Sequence, residues 1–145
     1  MGVHCLIEQP RYNMFERTPE DGLFKAMWEH GVGCICYSPL AQGALTDKYL
    51  NGIPQGSRAS RGGTTINDRY LSEEKLEQIR RLNEIAVSRN QSLAQMALAW
   101  VLREKAVTSV LIGASSVRQL ENSVQCLDHL EFSADELKAI DEILK

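Results

Sequence analysis

No uninterrupted apolar run in this chain approaches the roughly 20 residues that a membrane-spanning helix needs. The opening stretch, Met1-Gly2-Val3-His4-Cys5-Leu6-Ile7-Glu8, has no basic region followed by a long apolar core, so no secretory signal is expected. Leu6 stands where a myristoylation start wants Ser or Thr, which discards that modification at Gly2. Basic residues are not in excess. Sixteen Lys and Arg against nineteen Asp and Glu leave a net charge of −3, which argues against a nucleic-acid surface. Histidine is scarce, and His4, His30 and His129 are scattered without ligand spacing, so no metal site is expected. The four cysteines, Cys5, Cys34, Cys36 and Cys126, read as reduced thiols used as small core residues, which suits the cytoplasm. Low-complexity tracts are missing too.

What is present is an alternation of strand-like and helix-like segments. A length of 145 residues leaves room for one domain with a real core. Two stretches stand out. Val32-Gly33-Cys34-Ile35-Cys36 runs into Tyr37-Ser38-Pro39-Leu40-Ala41-Gln42-Gly43, and Thr108-Ser109-Val110-Leu111 runs into Ile112-Gly113-Ala114-Ser115-Ser116. Each is a short apolar run that stops in small or hydroxyl-bearing residues. That is the pattern of a buried parallel strand whose carboxyl end opens into a polar loop. Such loops offer backbone N–H groups to phosphate. Two of them suggest one phosphate-bearing ligand held from two sides.

Residues 5–8 read as a first short strand. Residues 19–29 read as a helix, capped by Thr18, with Pro19 at its first position and Leu23, Phe24 and Met27 as its stripe. Gly31 and Gly33 end it. Residues 52–67, rich in glycine with Arg58 and Arg61 interleaved and Arg69 just beyond, read as a long loop. Ser72 caps a helix over 73–89, with Leu76, Ile79, Leu82 and Ile85 on one face. Ser92 starts another over 93–103, with Ala94, Ala97, Leu98 and Val101 inward. Ser116 opens a helix whose Val117, Leu120, Val124 and Leu127 face inward. Ser133 and Glu136 form a capping box before the last helix, whose apolar face is Leu137, Ile140, Ile143 and Leu144. Trp28 and Trp100 read as packing residues on helical faces. Cys34 and Cys36 alternate along a strand and so share a face. Repeated βα units imply parallel strands with right-handed crossovers, either as an open sheet or as part of a larger (β/α) barrel.

Several motifs in this order resemble a known family. They are Gln9-Pro10-Arg11-Tyr12-Asn13, Tyr37-Ser38-Pro39-Leu40 with Gln42-Gly43, the run from Leu45 to Arg58, Ser92-Leu93-Ala94-Gln95 with Ala97-Leu98-Ala99-Trp100, and Ile112-Gly113-Ala114-Ser115-Ser116 with Gln119-Leu120. Together they resemble the carboxyl-terminal half of an aldo-keto reductase. The flavour is that of bacterial glyceraldehyde-3-phosphate reductases and the similar β subunits of potassium channels. The resemblance covers essentially residues 1–145. It implies an α/β chain forming part of a (β/α)8 TIM barrel: strands six to eight with their helices, plus a terminal helix.

The resemblance implies NADPH as cofactor and assigns roles by position. Gln9 matches the glutamine that bonds the nicotinamide carboxamide. Tyr37 matches the aromatic that stacks on the nicotinamide. Ser38, Leu40, Gln42 and Gly43 match the loop around the pyrophosphate. Lys48, Ser57 and Arg58 match the loop that folds over the cofactor. Gly113 belongs to the motif leading to Ser115, Gln119 and Asn122, which match the pocket for the adenosine and its 2′-phosphate. Asn122 sits where the family commonly has glutamate, and Ser123 where it has asparagine. A carbonyl substrate is implied as well, to be bound with an amino-terminal half.

The family's catalytic Asp, Tyr, Lys and His have no matching segment here, so no catalytic residue is assigned. Met1 falls near the family's midpoint, and a split or truncated reductase, or an internal start, is the expectation. The alternatives are a non-catalytic nucleotide-binding or protein-interaction module, and a non-functional remnant. The first and last strands would be bare edges, so self-association through them is expected.

Overall fold

A short parallel sheet organises residues 2–57, 59–61 and 65–145, the residues described by this computed structural model. Its strands are β1 (Ile7–Glu8), β2 (Gly33–Cys36) and β3 (Ser109–Val110), in the order β1-β2-β3. Ile7 lies opposite Gly33 and Glu8 opposite Cys34, while Ile35 lies opposite Ser109 and Cys36 opposite Val110. A parallel bridge between Arg11 and Tyr37 continues the first pairing beyond Pro10. Gly33 permits the close approach of β1: a Cβ there would sit 3.3 Å from the Leu6 carbonyl oxygen. The outer strands are shorter than expected because each is hydrogen-bonded on one side only.

The crossover after β1 departs from the expected single helix over 19–29. Thr18–Asp21 is a 3-10 turn with Pro19 in its first turn, and α1 (Leu23–Glu29) begins afresh. Gly22, at φ 126°, separates them, and neither start carries a side-chain cap. Thr18 is therefore not the cap. The break turns Glu20 toward Tyr12, whose hydroxyl donates to it at 2.6 Å, and toward a bidentate contact from Arg17. Burial alone would raise the Glu20 carboxyl, but the hydrogen bonds from Arg17 and Tyr12 and the nearby Arg103 charge outweigh it and hold it below its usual range. Gly31, at φ 65°, closes α1 as expected, and the Val32 amide bonds back to the Met27 carbonyl at 2.9 Å.

The stretch expected as loop over 52–67 is not all loop. Ala59–Arg61 is a 3-10 turn and α2 (Thr65–Tyr70) is a helix. Ile66 and Tyr70 are buried, Tyr70 stacks on Phe15, and its hydroxyl donates to Glu16 at 2.7 Å. Tertiary burial holds this helix where local composition favours a turn.

The remaining helices start where their serines predict. Ser72 caps α3 (Glu73–Ser88), Ser92 caps α4 (Leu93–Leu102), Ser116 caps α5 (Val117–Val124) and Ser133 caps α6 (Ala134–Leu144). At Ser92 and Ser133 the box is reciprocal, with Gln95 and Glu136 as partners. The core lies between one face of the sheet and the helix layer. Nearly all of α4 is buried, Trp100 completely, with the guanidinium groups of Arg17 and Arg103 against its ring. Cys34 and Cys36 share the core face as expected, with sulfurs 3.6 Å apart, and burial raises both thiols.

Two expectations fail on burial. Trp28 is 69% exposed rather than packed. Val117, Leu120, Val124 and Leu127, expected inward, are 71%, 47%, 53% and 57% exposed. Among the described residues α5 packs on α4 with its polar side, and nothing covers its apolar side. No helix among the described residues is long and apolar enough to cross a membrane, and none of their side chains form a metal-binding cluster.

Candidate functional site

The polypeptide leaving β2 is strained. Ser38, Ala41 and Gln42 all have positive φ, at 54°, 47° and 60°, followed by Gly43 at 98°. Each such non-glycine residue costs on the order of 1–3 kcal/mol and persists only where its surroundings over-determine it. The restraints are visible. The Ala41 amide donates to the Ser38 carbonyl at 3.0 Å, the Gly43 amide to the Leu40 carbonyl at 2.8 Å, and the Thr46 hydroxyl to the Gly43 carbonyl at 2.7 Å. Buried Asn13 adds a longer tie. Its side-chain amide donates to the Ser38 carbonyl at 3.0 Å, while its oxygen accepts from the Phe15 and Glu16 amides.

This loop forms one wall of a cleft of about 920 Å³ at the carboxyl ends of β2 and β3. The expected residues Ser38, Leu40, Gln42, Gly43 and Lys48 line that wall. Gly113, Ser115, Gln119 and Asn122 line the other, 65 or more positions away in sequence. At the far wall Gln119 Oε1 accepts from the Ser115 amide at 2.8 Å and the Ser115 hydroxyl at 2.9 Å. Asn122 is turned toward α4, donating to Ser92 and accepting from Gln95, each at 3.2 Å.

Other expected residues stand apart from the cleft lining. Gln9 is exposed at the end of β1, with no hydrogen bond to its side chain among the described residues. Tyr37 is half-buried at the end of β2, with the Arg11 guanidinium 5.3 Å from its ring centre. Ser57 is buried, and its hydroxyl accepts from the Ser60 amide at 3.2 Å, starting the turn at Ala59–Arg61. Arg58 lies outside the described residues. The cleft also holds residues that sequence reasoning assigned to no site: Thr46, Asp47, Ser92 and Arg118. Arg118 was within reach, since a helix begun at Ser116 puts it in the first turn beside Gln119.

Chemically, the cleft offers amide and hydroxyl groups, a glycine-containing turn, and two cations, Lys48 and Arg118, against one carboxylate, Asp47. In a molecule of net charge −3 this local excess of positive charge suits an elongated, anionic ligand. A Cβ built on Gly43 or Gly113 would meet nothing within 4 Å, so a ligand can approach the backbone at both walls.

Comparison with known proteins agrees with this architecture. The Aldo/keto reductase family profile matches residues 2–145. The chain is 52% identical over 144 residues to the L-glyceraldehyde 3-phosphate reductase of Escherichia coli (strain K12), covering 97% of this chain and 42% of that protein. It is 36% identical to a putative voltage-gated potassium channel subunit beta of Schizosaccharomyces pombe, covering 94% of this chain and 41% of that one. Among solved structures, a glycerol dehydrogenase from Gluconobacter oxydans superposes with a TM-score of 0.75 at 26% identity, over 95% of this chain and 42% of that chain. The chain thus spans about two fifths of the length of these relatives. The matched profile, the parallel βα architecture and the cleft at the strand ends agree: the chain belongs to the aldo/keto reductase family.

Proposed function

We propose that residues 1–145 are the carboxyl-terminal, NADPH-binding part of an aldo-keto reductase, corresponding to strands six to eight of its (β/α)8 barrel and the terminal helix. Its partner is an amino-terminal half that carries the catalytic residues and, with this part, a small carbonyl substrate. The observation that carries this reading is the cleft: two loops distant in sequence converge on one cavity at the strand ends, where α/β enzymes hold their ligands.

In this reading Ser38, Leu40, Gln42 and Gly43 hold the pyrophosphate, with Lys48, Ser57 and Arg58 closing over it. Gly113, Ser115, Gln119 and Asn122 face the adenosine. Tyr37 offers a stacking face to the nicotinamide and Gln9 an amide to its carboxamide. When bound, the nicotinamide supplies the hydride that reduces an aldehyde or ketone to an alcohol. The chain's own residues orient the cofactor and exclude water. The proton for the carbonyl oxygen comes from a tyrosine acid of the other half. A cytoplasmic setting keeps the four thiols reduced.

The test is direct. The 145-residue chain alone should bind NADPH yet show no NADPH-dependent reduction of small aldehydes above background. Mixing it with the amino-terminal half of a relative should restore turnover. Turnover by the purified chain alone, lost in Tyr37→Ala, would overturn the division of labour. Failure to bind NADPH would overturn the cofactor assignment. A non-catalytic interaction module is the second reading, favoured by the uncovered apolar side of α5.

A further inference from the structure

We infer that Arg11 selects the redox form of the cofactor, favouring the reduced, uncharged nicotinamide over the oxidised, cationic one. This rests on the proposed reading of the strand ends as a nicotinamide-nucleotide site, and it gives a role to a residue that the reading leaves unused.

Main-chain hydrogen bonds hold Arg11 opposite Tyr37. The Tyr37 amide donates to the Pro10 carbonyl at 3.0 Å, and the Tyr12 amide donates to the Tyr37 carbonyl at 3.3 Å. Side chains alternate along extended backbone, so Gln9 and Arg11 share one face while Pro10 and Tyr12, both buried, take the other. The Arg11 guanidinium carbon lies 5.3 Å from the Tyr37 ring centre. A cation therefore stands in line with Gln9 and against the aromatic proposed to stack on the nicotinamide. Its counter-charge is thin. Glu16 is the carboxylate that pairs with it, through long contacts of 3.4 Å to Nε and 3.5 Å to Nη1. Glu16 also takes the Arg69 guanidinium at 3.1 Å and the Tyr70 hydroxyl at 2.7 Å. The Arg11 Nε is buried and makes no hydrogen bond. Two guanidinium groups share one carboxylate, so the cluster keeps a positive charge beside the Tyr37 ring. Oxidised nicotinamide carries a positive charge on its ring and reduced nicotinamide carries none. Like charges repel, and partial burial weakens the screening by water. Gln9 and the pyrophosphate loop bind groups that the two forms have in common, so they do not separate them. The Arg11 charge does. The chain then loads the hydride donor and lets the spent form go.

Titration calorimetry on the 145-residue chain compares NADPH, NADP+ and 2′-phospho-ADP-ribose, which lacks the nicotinamide. The parent should bind NADPH about tenfold more tightly than NADP+. Arg11→Gln should bring the two within about twofold of each other, chiefly by tightening NADP+, and leave 2′-phospho-ADP-ribose unchanged. Arg11→Lys keeps the charge and should keep the preference. Glu16→Gln removes the counter-charge and should widen it. Arg81→Gln, on the exposed surface of α3, should change nothing and controls for net charge. Thermal unfolding of each variant confirms that it is folded. A parent that binds NADPH and NADP+ equally, or an Arg11→Gln chain that keeps the parent's preference, overturns the role of Arg11 and leaves the nucleotide site standing. A parent that binds none of the three ligands overturns the reading of the site, and the role of Arg11 with it.

Discussion

Asn13 shows how one buried polar side chain joins two strand ends. It leaves β1's loop, is fully buried, and reaches the Ser38 carbonyl at the head of the strained loop after β2. Its oxygen satisfies two further amides, those of Phe15 and Glu16. Removing the side chain would leave the Phe15 amide without its partner, while the Ser38 carbonyl keeps the Ala41 amide and the Glu16 amide keeps the Asn13 main-chain carbonyl. An unpaired buried group costs about 1–3 kcal/mol. Asn13→Ala is expected to lower stability by about 1–3 kcal/mol in urea unfolding and to weaken NADPH binding several-fold, through relaxation of the Ser38 loop. Asn13→Asp keeps the acceptor for the Phe15 amide but sets a buried carboxylate oxygen against the Ser38 carbonyl, so it should cost stability as well and weaken binding more than Asn13→Ala. Equal effects of both variants on both readouts would show that Asn13 supports the fold without positioning the loop. Asn13 belongs to a motif legible in the sequence, but its role is not. An asparagine beside a strand end has many local partners available, and the one its amide nitrogen takes lies 25 positions away.

Elements differ in how much of them is local. The four serine caps are read from sequence because a cap and its partner lie within one turn. The break at Gly22 is not, because the residues around it form an acceptable continuous helix. It is selected by Tyr12 and Arg103, which meet Glu20 from other parts of the chain. Gly22 has φ 126° with no atom within 4 Å of a built Cβ, so a side chain there would cost backbone strain rather than a clash. Gly22→Ala should therefore destabilise by about 1–2 kcal/mol. An unchanged urea midpoint would mean that the chain can run as one helix over 19–29 after all.

At the scale of the whole molecule, the exposed apolar surface is the dominant feature. Leu6 and Ile7 at β1, Leu111 beyond β3, Val117, Leu120 and Val124 along α5, and Leu127 in the 3-10 turn after it are all exposed. Among the described residues β1 and β3 each have one strand neighbour, whereas every strand of a closed barrel has two. Bare edges and apolar patches drive association. Sedimentation at tens of micromolar is expected to show a dimer or larger species, and Leu120→Glu with Val124→Glu should shift it toward monomer. A stable parent monomer that unfolds cooperatively would show that three βα units suffice alone.

The βα alternation, the four serine-capped helix starts, the shared face of Cys34 and Cys36 and the family are properties of the sequence. Each depends on residues a few positions apart, or on a series of motifs whose order is itself one-dimensional. The convergence of the Ser38–Lys48 loop and the 113–122 segment on one cleft, the strain at Ser38, Ala41 and Gln42, and the place of Arg118 in its wall depend on how parallel strands bring distant loops to the same edge of the sheet. The inward-facing reading of α5 failed for the same reason. Periodicity marks an apolar face, but only the packed chain determines whether another layer covers it.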